Sequence, residues 1–290
     1  LDPAIALLHA VSRTFDRGTS MANHEVFNQA VPLVDYNLYT GDQPLRDAVA
    51  REGGAAAEGE LRDFGDLVGR ADSLAHGRMA NENPPKLKAF DGQGHRINCV
   101  EYHPSYHHLM QQSMANGLHA QPWISDTPGR FVTRSAKNYM MTQVEPGHGC
   151  PITMTFASVP ALRHTPELAA RWVPRVTGLV YDGRNVPASD KSACTVGMAM
   201  TEKQGGSDVR ANRTEATVQG DGTYRLNGHK WFCSAPMSDA FLTLAQAEEG
   251  LTCFLVPRWT PDGDPNAMNI QRLKDKLGNH SNASSEIEYV

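Results

Sequence analysis

The stretch Met198-Ala199-Met200-Thr201-Glu202-Lys203-Gln204-Gly205-Gly206-Ser207-Asp208 gathers the residue types best suited to chemistry beside a large polar ligand. The apolar run at 194–200 reads as a buried strand. Where it ends, Thr201 could aim a hydroxyl at a ring heteroatom. Gly205 and Gly206 lack the Cβ atoms that would hold backbone N–H groups away from a phosphate, and Ser207 adds a hydroxyl donor. The same residue types also dominate ordinary turns, so the pattern alone leaves both readings open. The spacing is neither G-x-G-x-x-G nor a P-loop, and the arguments attached to those motifs do not apply.

A strand-turn of this kind must be held by a sheet, and the chain after about Ser192 supplies one. Short β-rich runs occur at 214–218, 224–227, 230–233, 241–246, 251–256 and 287–290, separated by turn residues such as Gly220-Asp221-Gly222. The first half reads differently. Residues 26–37 are extended and interrupted by Pro32. Helical patterns begin after Asp42, and Leu61, Phe64, Leu67, Val68, Ala71, Leu74 and Ala75 share one helix face until Pro84 and Pro85 stop it. Residues 85–104 look like a loop with a turn at Asp91-Gly92-Gln93-Gly94. A helix begins at Pro104, with Tyr106, Leu109, Met110 and Met114 as its apolar stripe, and further helices cover 131–143, 152–162 and 166–175. Residues 182–191 look like the linker between a helical half and a β half.

Three ordered motifs carry a more specific signal. Thr201-Glu202 with Gly206-Ser207-Asp208 is followed by Asn227-Gly228-His229-Lys230-Trp231-Phe232-Cys233-Ser234, and later by Lys276-Leu277-Gly278-Asn279. This set resembles the middle domain of the acyl-CoA dehydrogenase family. The fuller wording, with Asn279-His280-Ser281-Asn282-Ala283-Ser284-Ser285-Glu286, is most similar to the AidB branch, flavoproteins of the adaptive response to alkylation. The resemblance runs from about Met21 to the end of the chain. It implies an α+β fold: an extension over 1–20, an N-terminal helical domain over 21–190, and a small β-barrel or sandwich domain over 191–290. That β domain would be truncated at its C-terminal end, without the helical domain that follows it in relatives.

The resemblance also implies FAD as cofactor and assigns its contacts position by position. The backbone of Met198, Ala199 and Met200 and the hydroxyl of Thr201 would lie near the isoalloxazine ring. Gly206 and Ser207 would approach the phosphates or the thioester end, and Phe232, Cys233 and Ser234 the flavin face and its reactive nitrogen. Most relatives carry tryptophan where this chain has Phe232, whereas Trp231 stands one residue earlier; phenylalanine keeps the stacking area and loses an N–H donor. Read without the family, Trp231 and Phe232 would simply alternate across a strand. The family chemistry is α,β-dehydrogenation of an acyl-thioester, here a short or branched one. The catalytic base and much of the oligomer contact lie in the following helical domain, so no acidic residue of these 290 is assigned as base. The alternative implied by the AidB branch is a DNA-associated protein with structural or scavenging FAD, its DNA contacts lying in a basic C-terminal region beyond these residues. A homo-oligomer is expected in either case.

Composition sets outer bounds. A chain of 290 residues, 40% hydrophobic and 20% charged, suffices for about two domains with real cores, and a net charge of -5 argues against a chain-wide nucleic-acid footprint. Cys99, Cys150, Cys194, Cys233 and Cys253 are odd in number and contain no Cys-x-x-Cys pair, as expected of reduced thiols in the cytoplasm. Cys233 has no basic partner in the sequence and reads as a buried structural thiol. His103, His107 and His108 have a spacing compatible with a metal pair, but Pro104 places His103 outside the helix and no further ligand is spaced to help. They read as helix-start histidines, and no metal is expected. No run reaches membrane-spanning length, and the apolar stretch at 4–11 lacks the basic leader of a secretory signal. Met21 looks like a natural start.

Overall fold

The computed structural model describes residues 27–290. The stretch at 4–11, Met21 and the extension over 1–20 lie outside the described residues, as does the start of the extended segment at 26–37. Residues 34–290 form one contact unit, and the described part of the other, 27–33, contains no helix or strand.

The helical half starts at Asp42, whose carboxylate accepts the Leu45 N–H at 2.9 Å and so caps α1 (Gln43–Arg51). The face running from Leu61 to Ala75 belongs to two helices rather than one, α2 (Glu58–Gly69) and α3 (Ala71–Glu82). Arg70 between them is extended, with ψ 148°. Close packing forces this break. A Cβ on Gly69 would stand 1.7 Å from the Tyr36 carbonyl oxygen, and Asp35 accepts the Ala71 N–H at 2.9 Å, capping α3 from 36 residues away.

Residues 85–104 are not a loop. β1 (Lys86–Phe90) and β2 (Arg96–Glu101) form an antiparallel hairpin about the expected turn, in which Asp91 accepts the N–H groups of Gln93 and His95, each at 2.9 Å. β1 is only five residues long and has no fully buried residue, so its alternation was a weak signal in the sequence. Then follow α4 (Pro104–Ala115), α5 (Gln121–Ile124), α6 (Arg130–Val144), α7 (Gly149–Leu162) and α8 (Pro166–Val176); all but the four-residue α5, which was not expected, lie close to the expected bounds. Leu61, Phe64 and Val68 of α2 pack with Leu109 and Met114 of α4 and Met140 of α6 in one core, each side chain contributing about 2–3 kcal/mol on burial.

The β half contains β3 (Val196–Thr201), β4 (Glu215–Val218), β5 (Tyr224–Ser234), β6 (Ala240–Ala247), β7 (Gly250–Pro257), β8 (Met268–Leu273) and β9 (Ser284–Tyr289). β8 was not legible in the sequence. β5 is one strand where two runs were expected, because Gly228 continues it at φ 144°, a backbone position that also lets Thr214 approach. β3 pairs with β6 in parallel and with β5 antiparallel, while β4 pairs with both β5 and β6, so the pairings run around a ring instead of across an open sheet. β7 extends it beside β6, and β9 and β8 beside β5.

α7 joins the two halves. Ile152 sits in the helical core, whereas Val159 and Leu162 pack with Trp172 and Val176 of α8 against Val196 of β3 and Leu242 of β6. Thr155 accepts the Val196 N–H at 3.0 Å. The segment 182–191 is packed as well: Lys191 donates to Asp239 at 2.6 Å with both side chains at most 5% exposed.

Candidate functional site

The register of β3 on β5 brings the chemistry-bearing residues together. Met198 lies opposite Ser234, Ala199 opposite Cys233 and Thr201 opposite Phe232, with an extra residue in β3 at Met200. On its other side β5 carries an extra residue against β9 between Lys230 and Cys233. Two bulges therefore meet at one place. A bulge breaks strict alternation and re-aims side chains, which is why Lys230 and Cys233 are both fully buried while Trp231 is half-buried between them and Phe232 is 46% exposed. The simple alternation of Trp231 and Phe232 is thereby corrected.

The expected contact residues divide by what they can present. Thr201 and Ser234 are part-exposed, Gly206 and Ser207 are exposed in the turn beyond β3, and Phe232 presents a ring face. Ala199 and Cys233 have side chains buried in the β core, and burial pushes the Cys233 thiol up to about 12. Neither side chain can touch a ligand here, so both can offer backbone only. Met198 and Met200 turn their side chains toward α7 and α8, and the Met200 carbonyl already accepts from Asn212 at 2.8 Å. Lys274 stands 3.0 Å from the Trp231 ring centroid and 4.7 Å from that of Phe232, so Trp231 is a platform for cations on this strand.

Glu202, quoted in the motif but given no role from sequence, holds the turn. Its fully buried carboxylate accepts from Lys230 Nζ at 2.8 Å, Thr214 Oγ1 at 2.6 Å, the backbone N–H groups of Thr214 and Arg213, and Gln204 Nε2. Burial opposes its ionisation, but these donors hold the carboxyl well below the usual range. It is a structural anion, not a base. Gly205 follows at φ 123°, and a Cβ on Gly206 would meet Thr201 Oγ1 at 2.7 Å, so the turn lies close over the Thr201 hydroxyl only because both residues are glycine.

Ser234 is fixed from the helical half. Its hydroxyl lies 3.2 Å from that of Ser284 and is near enough to the Cys150 thiol, in the first turn of α7, to act on its ionisation. Burial raises that thiol, with Ser234, Lys276 and Asn282 pulling the other way. The start of α7 is held in turn by Glu145, which accepts from the backbone of Gly147 and His148 and lies 3.0 Å from His148 Nδ1; His148 Nε2 lies 2.9 Å from Ser113 Oγ. Ser113, His148 and Glu145 have the connectivity of a nucleophile, base and orienting carboxylate, yet none is more than 2% exposed. They act as a brace. Glu145 and His148 are local partners three residues apart, but nothing in the sequence tied them to Ser113, 35 residues before His148, or Cys150 to Ser234.

The histidines at the start of α4 point to separate partners. His103 accepts the Ser105 N–H, His107 pairs with Tyr181 at 2.9 Å, and His108 stacks on His76 at 3.9 Å. Among the described residues no group of three potential ligands is positioned for a metal, and no helix is long and apolar enough to cross a membrane.

A helical half braced against a ring of strands, with hydroxyls and an aromatic face converging on paired bulges, defines an α+β class of protein. Comparison with known proteins narrows it. Residues 28–183 match the model of the adaptive response protein AidB N-terminal domain, and 197–290 that of the acyl-CoA dehydrogenase middle domain. AidB of Escherichia coli is 49% identical over 268 residues, 92% of this chain and 50% of its own length; acyl-CoA dehydrogenase family member 11 of Caenorhabditis elegans is 30% identical over 90% of this chain and 44% of its own. Caenorhabditis elegans ACDH-11, solved in complex with C11-CoA, superposes with TM-score 0.81 at 28% identity over 94% of this chain and 48% of that one. The Bd2924 apo-form gives 0.80 at 27% over 91% and 54%. The chain belongs to the acyl-CoA dehydrogenase family, in its AidB branch. It spans about half the length of the relatives it matches.

Proposed function

We propose that this chain supplies the flavin-contacting half of an FAD-dependent dehydrogenase acting on the α,β carbons of an acyl-CoA thioester. The observation that carries the reading is the meeting of Thr201, Phe232 and Ser234 at the two bulges. The residues fit such a group: among the described residues the Thr201 and Ser207 hydroxyls have no side-chain hydrogen-bond partner, and Gly205, at φ 123°, has nothing within 4 Å of where a Cβ would stand.

FAD, when bound, supplies the acceptor for the hydride that leaves the β-carbon as the α-proton departs to a base. The chain's own residues bind and orient. Phe232 offers an apolar ring surface, Thr201 and Ser234 offer hydroxyls within one strand pair, and the Gly206-Ser207 turn offers backbone and hydroxyl donors suited to a phosphate or the thioester end. The Glu202 and Glu145 networks keep these groups from moving. Similarity to an ACDH-11 structure holding C11-CoA supports an acyl-CoA substrate class, and a short or branched thioester is the form that the family resemblance implied.

The test is anaerobic titration of the full-length protein, reconstituted with FAD, with isovaleryl-CoA and with an eleven-carbon acyl-CoA. Loss of the visible flavin bands with either thioester is expected. Bands that persist through both titrations contradict the dehydrogenase reading.

A further inference from the structure

Arg258, the first residue after β7, is 8% exposed, yet every acceptor that holds it is neutral. Its Nε donates to Asn185 Oδ1 at 3.0 Å, one terminal nitrogen to the Pro236 carbonyl at 2.6 Å and the other to the Asn98 carbonyl at 2.6 Å. Those acceptors take three of the five N–H groups of a guanidinium. Arg96 of β2 reaches the same asparagine, donating from one terminal nitrogen to Asn98 Oδ1 at 3.1 Å and to the Ile270 carbonyl at 3.2 Å. Asn98, at φ 44°, thus holds one guanidinium by its carbonyl and the other by its side chain.

Among the described residues neither arginine is paired with a carboxylate. The carboxylate that acts on Arg258 from farther away, Asp239, is already paired with Lys191. A buried arginine is ordinarily paired, and two like charges gathered at one residue repel. Both arginines line a cavity of about 210 Å³ between the β1–β2 hairpin and the loop that joins β7 to β8. Asn98, Asn185 and Asn266 add neutral polar wall, and Ile97, Trp259, Pro265 and Met268 apolar wall. No described aspartate or glutamate lines it, nor does any residue assigned to flavin contact. A cavity of about 150 Å³ takes benzene, so this one has room for a charged head and a short hydrocarbon body.

We propose that the cavity binds a small organic monocarboxylate, its head neutralising Arg96 and Arg258 and its hydrocarbon body lying on Ile97 and Met268. The apolar wall favours this class over an inorganic anion, which would lose hydration there without gaining contacts. Binding at this place does not depend on flavin or on dehydrogenase activity. The test is calorimetry and ligand-observed NMR on the full-length protein with pentanoate, its neutral counterpart pentanamide, and inorganic phosphate. The expected result is saturable pentanoate binding, at least about tenfold tighter than either of the others. Arg96→Gln, at an exposed position, weakens it about tenfold, and Ile97→Asp, which sets a carboxylate in the wall, abolishes it. Circular dichroism checks that both variants are folded. Absence of saturable pentanoate binding, or equal binding of pentanamide or phosphate, would overturn the proposal. So would pentanoate binding unchanged in either variant, which would place the carboxylate elsewhere on the protein.

Discussion

Glu202 shows how much rests on one side chain. It and Lys230 are both fully buried, so the pair is bought with desolvation and returns order, not a large net gain. Removing one partner strands the other charge. Glu202→Gln is expected to cost about 3–5 kcal/mol in unfolding free energy by urea denaturation, and a loss under about 1 kcal/mol would show that the network does not hold the turn. Much of the candidate site was legible at this scale, since Thr201, Ser207, Phe232 and Ser234 stand in motifs that can be read one residue at a time. The role of Glu202 was not, because its cation lies 28 residues away and only the strand register joins them. Cys233 entered the contact set through the family match and was also read as a buried structural thiol; the bulge does turn its thiol into the core.

Elements were legible where an apolar stripe marked them and illegible where packing or pairing decided. The helices from Pro104 onward, the short α5 apart, follow their stripes, whereas the break at Arg70 is imposed by Tyr36 lying against Gly69, a contact between segments more than thirty residues apart. Gly69→Ala tests this. Helix propensity alone would reward the change by about 1 kcal/mol. The steric contact predicts instead a loss of about 2 kcal/mol or more, read as a lowered melting temperature. A raised melting temperature would mean that propensity, not packing, governs the junction. The hairpin β1–β2 was missed because its strands are short and largely exposed, so the alternation of Lys86 to Phe90 spans only five residues, though the Asp91 turn itself was readable from its residue types. The double bulge could not be read at all, since a bulge is a property of two strands in register.

For the whole molecule, the helical and β halves were evident from the change in residue pattern near Ser192, while their shared core on α7 was not, because α7 turns one face to each half. The helical half also carries an acid-sensitive group. His119 is fully buried, its Nε2 lies 2.9 Å from the Gly178 carbonyl, and burial pushes the imidazole down to about 4. The unfolded chain takes up this proton near pH 6.5 and the folded chain does not, so stability falls as pH drops from about 6.5 toward 4, by up to about 3 kcal/mol from this group. Glu202 and Glu145, held below the usual carboxylate range, add their loss only at lower pH. His119→Gln should flatten the stability profile between pH 6.5 and 4.5; an unchanged slope would place the acid sensitivity elsewhere.

The proposed function requires that the paired bulges of β3 and β5 contact FAD. Its most direct test is a fluorescence titration of the full-length apoprotein with FAD, beside Thr201→Val and Phe232→Ala. Tight binding by the parent chain, weakened about fivefold or more in each variant, is the expected result. No FAD binding by a folded parent protein, or variants that bind as it does, would contradict the claim.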